Sequence, residues 1–153
     1  MTRAFTESEL ARGRTVPALK SGASLEQFIQ GASIALHPEW VSSNPHMEDS
    51  DNMDNWRCVL RAGHRRMTVY FSKGVGHKGT EPTAAEVLDC LASDAAGVEN
   101  ARSFEEWCSE YGYDTDSRKA ERIFKACARQ AAALRRLLGD SAYETLLWKV
   151  ERQ

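Results

Sequence analysis

The chain has 153 residues, is 42% hydrophobic, and sets 20 basic against 22 acidic side chains for a net charge of −2. That length and apolar content suit one domain with a real core and exclude a disordered chain. No run of 18 apolar residues occurs and residues 1–19 lack the apolar centre of a secretory signal, so a membrane span is excluded and the cytoplasm is the expected location.

Residues 1–23 are broken by Arg12-Gly-Arg-Thr-Val-Pro17 and Ser21-Gly22 and read as loosely ordered. Ser24-Leu-Glu-Gln27 has the form of a capping box, followed by Phe28 and Ile29, and predicts a short helix over about 25–31. Ile34, Leu36 and Trp40 alternate with polar residues and predict a strand interrupted near Pro38. A proline-containing strand belongs at an edge or a bulge. Residues 42–54 read as an acidic, turn-rich loop.

The clearest local signal follows. Trp56, Cys58 and Leu60 alternate with Arg57, Val59 and Arg61; beyond Gly63-His64, Met67, Val69 and Phe71 alternate with Thr68, Tyr70 and Ser72. Glycine first in a two-residue turn suits a type II′ hairpin. That register pairs Leu60 with Met67, Cys58 with Val69 and Trp56 with Phe71, giving one wholly apolar face. The other face pairs Arg57 with Tyr70 and Arg61 with Arg66. Directly opposed arginines repel, so an anion, an acidic helix or a partner relieves them unless both splay into water.

The second half reads as helices. Thr83-Ala-Ala-Glu86 is a capping box for a helix to about Val98, with Val87, Leu88, Leu91 and Ala95 as its apolar stripe. Ser103-Phe-Glu-Glu106 opens a short helix carrying Phe104, Trp107 and Cys108 and ending near Gly112. Asp116 or Ser117 caps the longest helix, to about Leu138, with Gly139 as its stop. Its apolar residues Ala120, Ile123, Phe124, Cys127, Ala131, Leu134 and Leu138 recur near 3.6. A last helix follows Asp140, with Tyr143, Leu146, Leu147 and Val150 inward. The expected fold is α+β and a single domain, 1–153: a short helix and a three-stranded antiparallel sheet over 24–73, packed against about four helices over 80–152.

Charge is segregated along this plan. Residues 57–78 hold six basic side chains, Arg57, Arg61, Arg65, Arg66, Lys73 and Lys78, and no acid; residues 79–117 hold ten acids and one base. Such blocks create local fields that the chain average conceals. Two candidate partner-binding surfaces result. One is the basic hairpin and loop, those six side chains with Tyr70. The other is acidic: Glu86, Asp89, Glu105, Glu106, Glu110, Asp114 and Asp116, which present spaced negative charge as DNA mimics do, or else form a solubilising face. A third feature is the stripe of Arg118, Arg122, Lys125, Arg129 and Arg136 on one side of the longest helix, a track for a phosphate backbone or a solvated face.

Chemistry-bearing motifs are few. Cys58, Cys90, Cys108 and Cys127 are widely spaced, without a Cys-x-x-Cys pair, and each falls on an apolar stripe as a small core residue. Gly74-Val-Gly-His-Lys-Gly-Thr80 has the composition to hold an anion but is not a P-loop, since Lys78 precedes Gly79; a flexible connection explains it as well. Asp114-Thr-Asp116 does not open an EF-hand, because Lys119 and Lys125 stand where Gly and Glu are required. His37, His46, His64 and His77 share no ligand spacing, and no nucleophile motif is present. A non-enzymatic protein without cofactor or metal is expected; the rival is an enzyme site assembled by tertiary contact around His77, Cys90 or Asp114.

Three stretches together carry a resemblance: Ser43-Asn-Pro-His-Met-Glu-Asp-Ser-Asp-Asn-Met-Asp-Asn-Trp-Arg57; Met67-Thr-Val-Tyr-Phe-Ser72 running through Gly76-His77 to Pro82-Thr-Ala-Ala-Glu-Val-Leu-Asp-Cys-Leu-Ala-Ser-Asp94; and Ser103-Phe-Glu-Glu-Trp-Cys-Ser-Glu-Tyr-Gly-Tyr-Asp-Thr-Asp-Ser-Arg-Lys-Ala120. Over about residues 43–138 the chain resembles small accessory proteins of tailed phages and prophages. The resemblance transfers no site residue. It implies a bacterial host cytoplasm and an anti-defence role, of anti-CRISPR or antirestriction type. The expected action is stoichiometric binding of a host nucleic-acid-handling complex through a charged surface. The alternative is a nucleic-acid-binding accessory protein using the basic hairpin and helix stripe.

Overall fold

The computed structural model describes residues 14–15, 22–41, 55–72 and 80–151. Its elements in chain order are β1 (Arg14–Thr15), α1 (Gly22–Gly31), β2 (Ile34–Val41), β3 (Asn55–Ala62), β4 (Arg65–Ser72), α2 (Ala84–Asn100), α3 (Phe104–Tyr111), α4 (Arg118–Leu138) and α5 (Asp140–Glu151). The architecture is α+β, strands first and helices after. The sheet order is β1-β4-β3-β2. The three expected antiparallel strands are present, and β1 adds a two-residue parallel pairing with β4, in a stretch expected to lack order. β2 also departs from expectation. It runs unbroken through Pro38, which pairs with Cys58. Proline fits there because, among the described residues, β2 lies at the edge of the sheet.

The hairpin register is the expected one: Leu60 opposite Met67, Cys58 opposite Val69, Trp56 opposite Phe71. Gly63 takes φ 64° in the turn, a value glycine adopts without a Cβ clash. All six of those side chains are buried. On β2, Trp40 stands opposite Trp56 and the two rings meet edge-to-face at 5.3 Å, fixing the edge strand to the centre.

Helices cover this apolar face. α1 contributes Leu25, Phe28 and Ile29 to the main core. The helix starts at Gly22, ahead of Ser24, so the expected box does not mark its first turn. α2 is the central helix, touching α1, β2, α4 and α5. Its start is the expected capping box: Thr83 Oγ1 accepts from the Glu86 N–H at 3.2 Å and Glu86 Oε1 accepts from the Thr83 N–H at 3.1 Å. Ala85, Ala92, Ala95 and Ala96 are buried on it beside Val87, Leu88 and Leu91, and such small residues let the surrounding helices approach closely.

α4 joins two cores. Its C-terminal half, Ala131, Leu134 and Leu137, belongs to the sheet core. Its N-terminal half, Ala120, Ile123, Ala126 and Cys127, packs with α3 around Trp107, which is 1% exposed. Tyr113 stacks on Trp107 at 5.4 Å, while Phe124 meets it edge-on at 5.2 Å. At 21 residues α4 is about 30 Å long, so the two cores lie toward opposite ends of it. The outer end of α2 is tied to α4 and α5 by polar contacts. Tyr143 donates its hydroxyl to Glu99 Oε1 at 2.9 Å, and the Arg135 guanidinium lies 4.7 Å above the Tyr143 ring.

Candidate anion-binding sheet face

Alternation along three paired strands creates a second sheet face, pointing away from the helices. The register arranges it in rows. Ala35, Arg61 and Arg66 form one row; His37, Val59 and Thr68 the next; Glu39, Arg57 and Tyr70 the third. Rows lie about 7 Å apart along the strands and columns about 4.8 Å apart across them. Among the described residues no helix packs on this face. Val59, Arg57 and Tyr70 are half-buried in it and the other six are exposed. Its middle and third rows, with Arg66, line a shallow open depression.

Two kinds of charge occupy the face. Arg57 donates from Nη2 to Glu39 Oε2 across the β2–β3 ladder. That hydrogen bond and the carboxylate's charge hold the Arg57 guanidinium still more firmly protonated, and Tyr70 adds a smaller contribution. Arg61 and Arg66 differ. They stand directly opposite each other, both exposed, and among the described residues no acid pairs with either. The face is therefore net positive, and its positive charge is least compensated in the Arg61–Arg66 row.

Arg65, the third hairpin arginine, belongs to the other side. It shares the inward parity of Met67 and Val69, and its Nη1 donates to the Arg136 carbonyl at 3.1 Å. It thus satisfies one of the last-turn carbonyls of α4 that have no intrahelical partner. This contact brings the hairpin tip against the C-terminal end of the helix stripe. Arg118, Arg122, Lys125, Arg129 and Arg136 are all exposed along α4, as their spacing requires. Lys125 is engaged by Glu121 at 2.7 Å. The two basic features, separate in sequence, are therefore joined by this one contact, made from the inner side of the hairpin.

The acidic candidates do not form one surface. Asp89 is buried on α2, and Glu86 is committed to the capping box. Glu105, Glu106, Glu110, Asp114 and Asp116 are exposed on α3 and the connection after it, Glu106 with Arg102 at 3.5 Å. These acids lie at the Trp107 end of α4, away from the hairpin. Ser117, not Asp116, caps α4, its hydroxyl accepting from the Ala120 N–H at 3.2 Å.

Lys73, Lys78, His46, His77 and the loop from Gly74 to Gly79 lie outside the described residues. Cys90 is half-buried against the sheet core, whereas Asp114 is exposed beside the Trp107 core. Among the described residues no three His, Cys, Asp or Glu side chains cluster as metal ligands. Cys58, Cys108 and Cys127 are buried and form no disulfide with one another, as their positions on apolar stripes imply. No described helix is long and apolar enough to cross a membrane. Two members of the site escaped the sequence reading, His37 and Glu39. Carrying the strand alternation through Pro38 places both on the outer face.

Comparison with protein-family models, with curated proteins and with solved structures finds no match.

Proposed function

We infer that the chain is a non-enzymatic binding protein whose basic surface engages the phosphate backbone of a nucleic acid. The observation behind this reading is the opposed Arg61–Arg66 pair, held in place by the hairpin register and provided with no acid among the described residues. Like charges directly across a ladder are destabilising, and a phosphate between them reverses that term. A backbone is favoured over a single anion because the face on which the pair stands extends over three paired strands and three rows and is net positive.

The reading is tested by fluorescence anisotropy with labelled oligonucleotides at low and moderate salt. Affinity is expected to fall steeply with salt, and the doubly substituted Arg61→Gln/Arg66→Gln protein to lose at least about tenfold in affinity and about one to two units of salt slope, as expected for two lost phosphate contacts. No binding at low salt would overturn it.

A second proposal follows the phage resemblance: an anti-defence inhibitor that presents negative charge to a host nucleic-acid-handling complex. It rests on the five exposed acids of α3 and its following connection. Glu105→Lys/Glu106→Lys abolishes capture of such a partner if this is the working face, and leaves capture unchanged if it is not.

A further inference from the structure

We propose that the nucleic acid recognised by the sheet face is single-stranded, with one unpaired base stacked on Tyr70 while the backbone runs toward Arg61 and Arg66. This rests on the basic-surface reading and names the substrate class for it. Three observations carry it.

The first is the layout of the face. Tyr70 lines the depression in the third row, and the arginine pair stands two rows away, about 14 Å along the strands. Between them lie Val59, Thr68 and His37, a row with no acid and no long side chain. An extended strand laid across the rows therefore meets an aromatic ring at one end and paired cations at the other. Aromatic rings in a positively charged groove are how single strands are bound without base-pair readout.

The second is how Tyr70 is held. It stands opposite Arg57, whose guanidinium is itself clamped by Glu39. The ring is half-buried on a paired strand, so part of its side-chain freedom is already lost before a base stacks on it. The only acid in the three rows is spent on this clamp and does not repel the backbone.

The third is shape. The face is three strands wide and backed by helices along its inner side. The major groove of duplex DNA is about 12 Å wide and admits a helix or a two-stranded ribbon. A broad sheet face presented flat does not enter it, and bases stacked inside a duplex do not reach Tyr70. Duplex contacts are then restricted to phosphates.

The experiment compares a short single strand, the matching duplex and inorganic polyphosphate as ligands of the full chain. Wild type, Tyr70→Phe and Tyr70→Ala are titrated by anisotropy, and the single strand carries 2-aminopurine to report stacking. Single-strand affinity should exceed duplex affinity by about tenfold or more. Tyr70→Ala should lose about 10- to 100-fold on the single strand, little on the duplex, and nearly all 2-aminopurine quenching; Tyr70→Phe should stay close to wild type. Should Tyr70→Ala fold poorly, quenching by wild type and by Tyr70→Phe decides the matter. Equal binding of duplex and polyphosphate, without quenching, overturns the stacking proposal and leaves the basic surface standing. No binding of any of the three at low salt removes both. An acidic protein as the true partner would show as that last outcome.

Discussion

Individual side chains here are constrained in ways that can be measured. Cys58 is fully buried on the inner sheet face, and burial, with a smaller push from Glu81, raises its thiol from 9.0 to about 12. Below pH 9 the thiol is protonated in both folded and unfolded chains, and the contribution to stability is complete. As pH rises from there toward 12, the unfolded chain ionises first and stability is lost. Wild type should therefore lose more of its urea midpoint between about pH 8 and about pH 10 than Cys58→Ala does; parallel losses would contradict the assignment. Gly97 is constrained by approach. A Cβ there would stand 2.2 Å from the Tyr111 hydroxyl oxygen, and the Tyr111 ring cannot simply swing away because it packs 5.2 Å from Trp107. Gly97→Ala should cost about 1–3 kcal/mol by overpacking. Tyr111→Phe in the same chain should recover part of that cost, and a double-mutant cycle by urea unfolding measures the coupling.

At the scale of elements, the start signals are local and the layout is not. Thr83→Ala removes the side chain that caps α2 and should cost about 1 kcal/mol, read as a lowered melting temperature; an unchanged one would mean the box is dispensable. Trp107→Ala should cost about 3–5 kcal/mol, with hydrogen exchange rising first in α3 and the early turns of α4 rather than in the sheet. The hairpin was legible because alternation, a glycine-led turn and an apolar inner face all demand one register. The capping box at Thr83–Glu86 and the N-cap Ser103, of whose expected box only the Glu106 N–H to Ser103 bond forms, were legible for the same reason, since a cap involves residues only three apart. β1 was not legible: two residues pairing in parallel with β4 leave no periodicity. Nor was the continuity of β2, because proline is a strong local breaker whose tolerance depends on the strand lying at an edge. The burial of Asp89 was hidden as well. α2 is enclosed on nearly every side, and a helix pattern alone does not show how many neighbours surround it. The role of Arg65 as a cap for α4 depends on a contact across 71 positions of sequence, beyond any local rule.

Across the whole molecule, the separated charges of the sequence become separated regions. The basic hairpin does not close on the acidic segment. It meets the C-terminal end of α4, while the exposed acids gather at the Trp107 end about 30 Å along the same helix. This polarity, concealed in a net charge of −2, keeps the Arg61–Arg66 row without local compensation. Stability and binding should therefore respond with opposite signs at that row. The most direct test is urea unfolding at low salt, with and without a short single-stranded oligonucleotide, for wild type and Arg61→Gln/Arg66→Gln. Without ligand the variant should be more stable by about 0.2–1 kcal/mol, because a cross-strand repulsion is gone. With ligand, wild type should gain stability by mass action and the variant should gain little. A variant that is less stable than wild type and is still stabilised equally by the oligonucleotide would contradict the assignment of this row as an anion site.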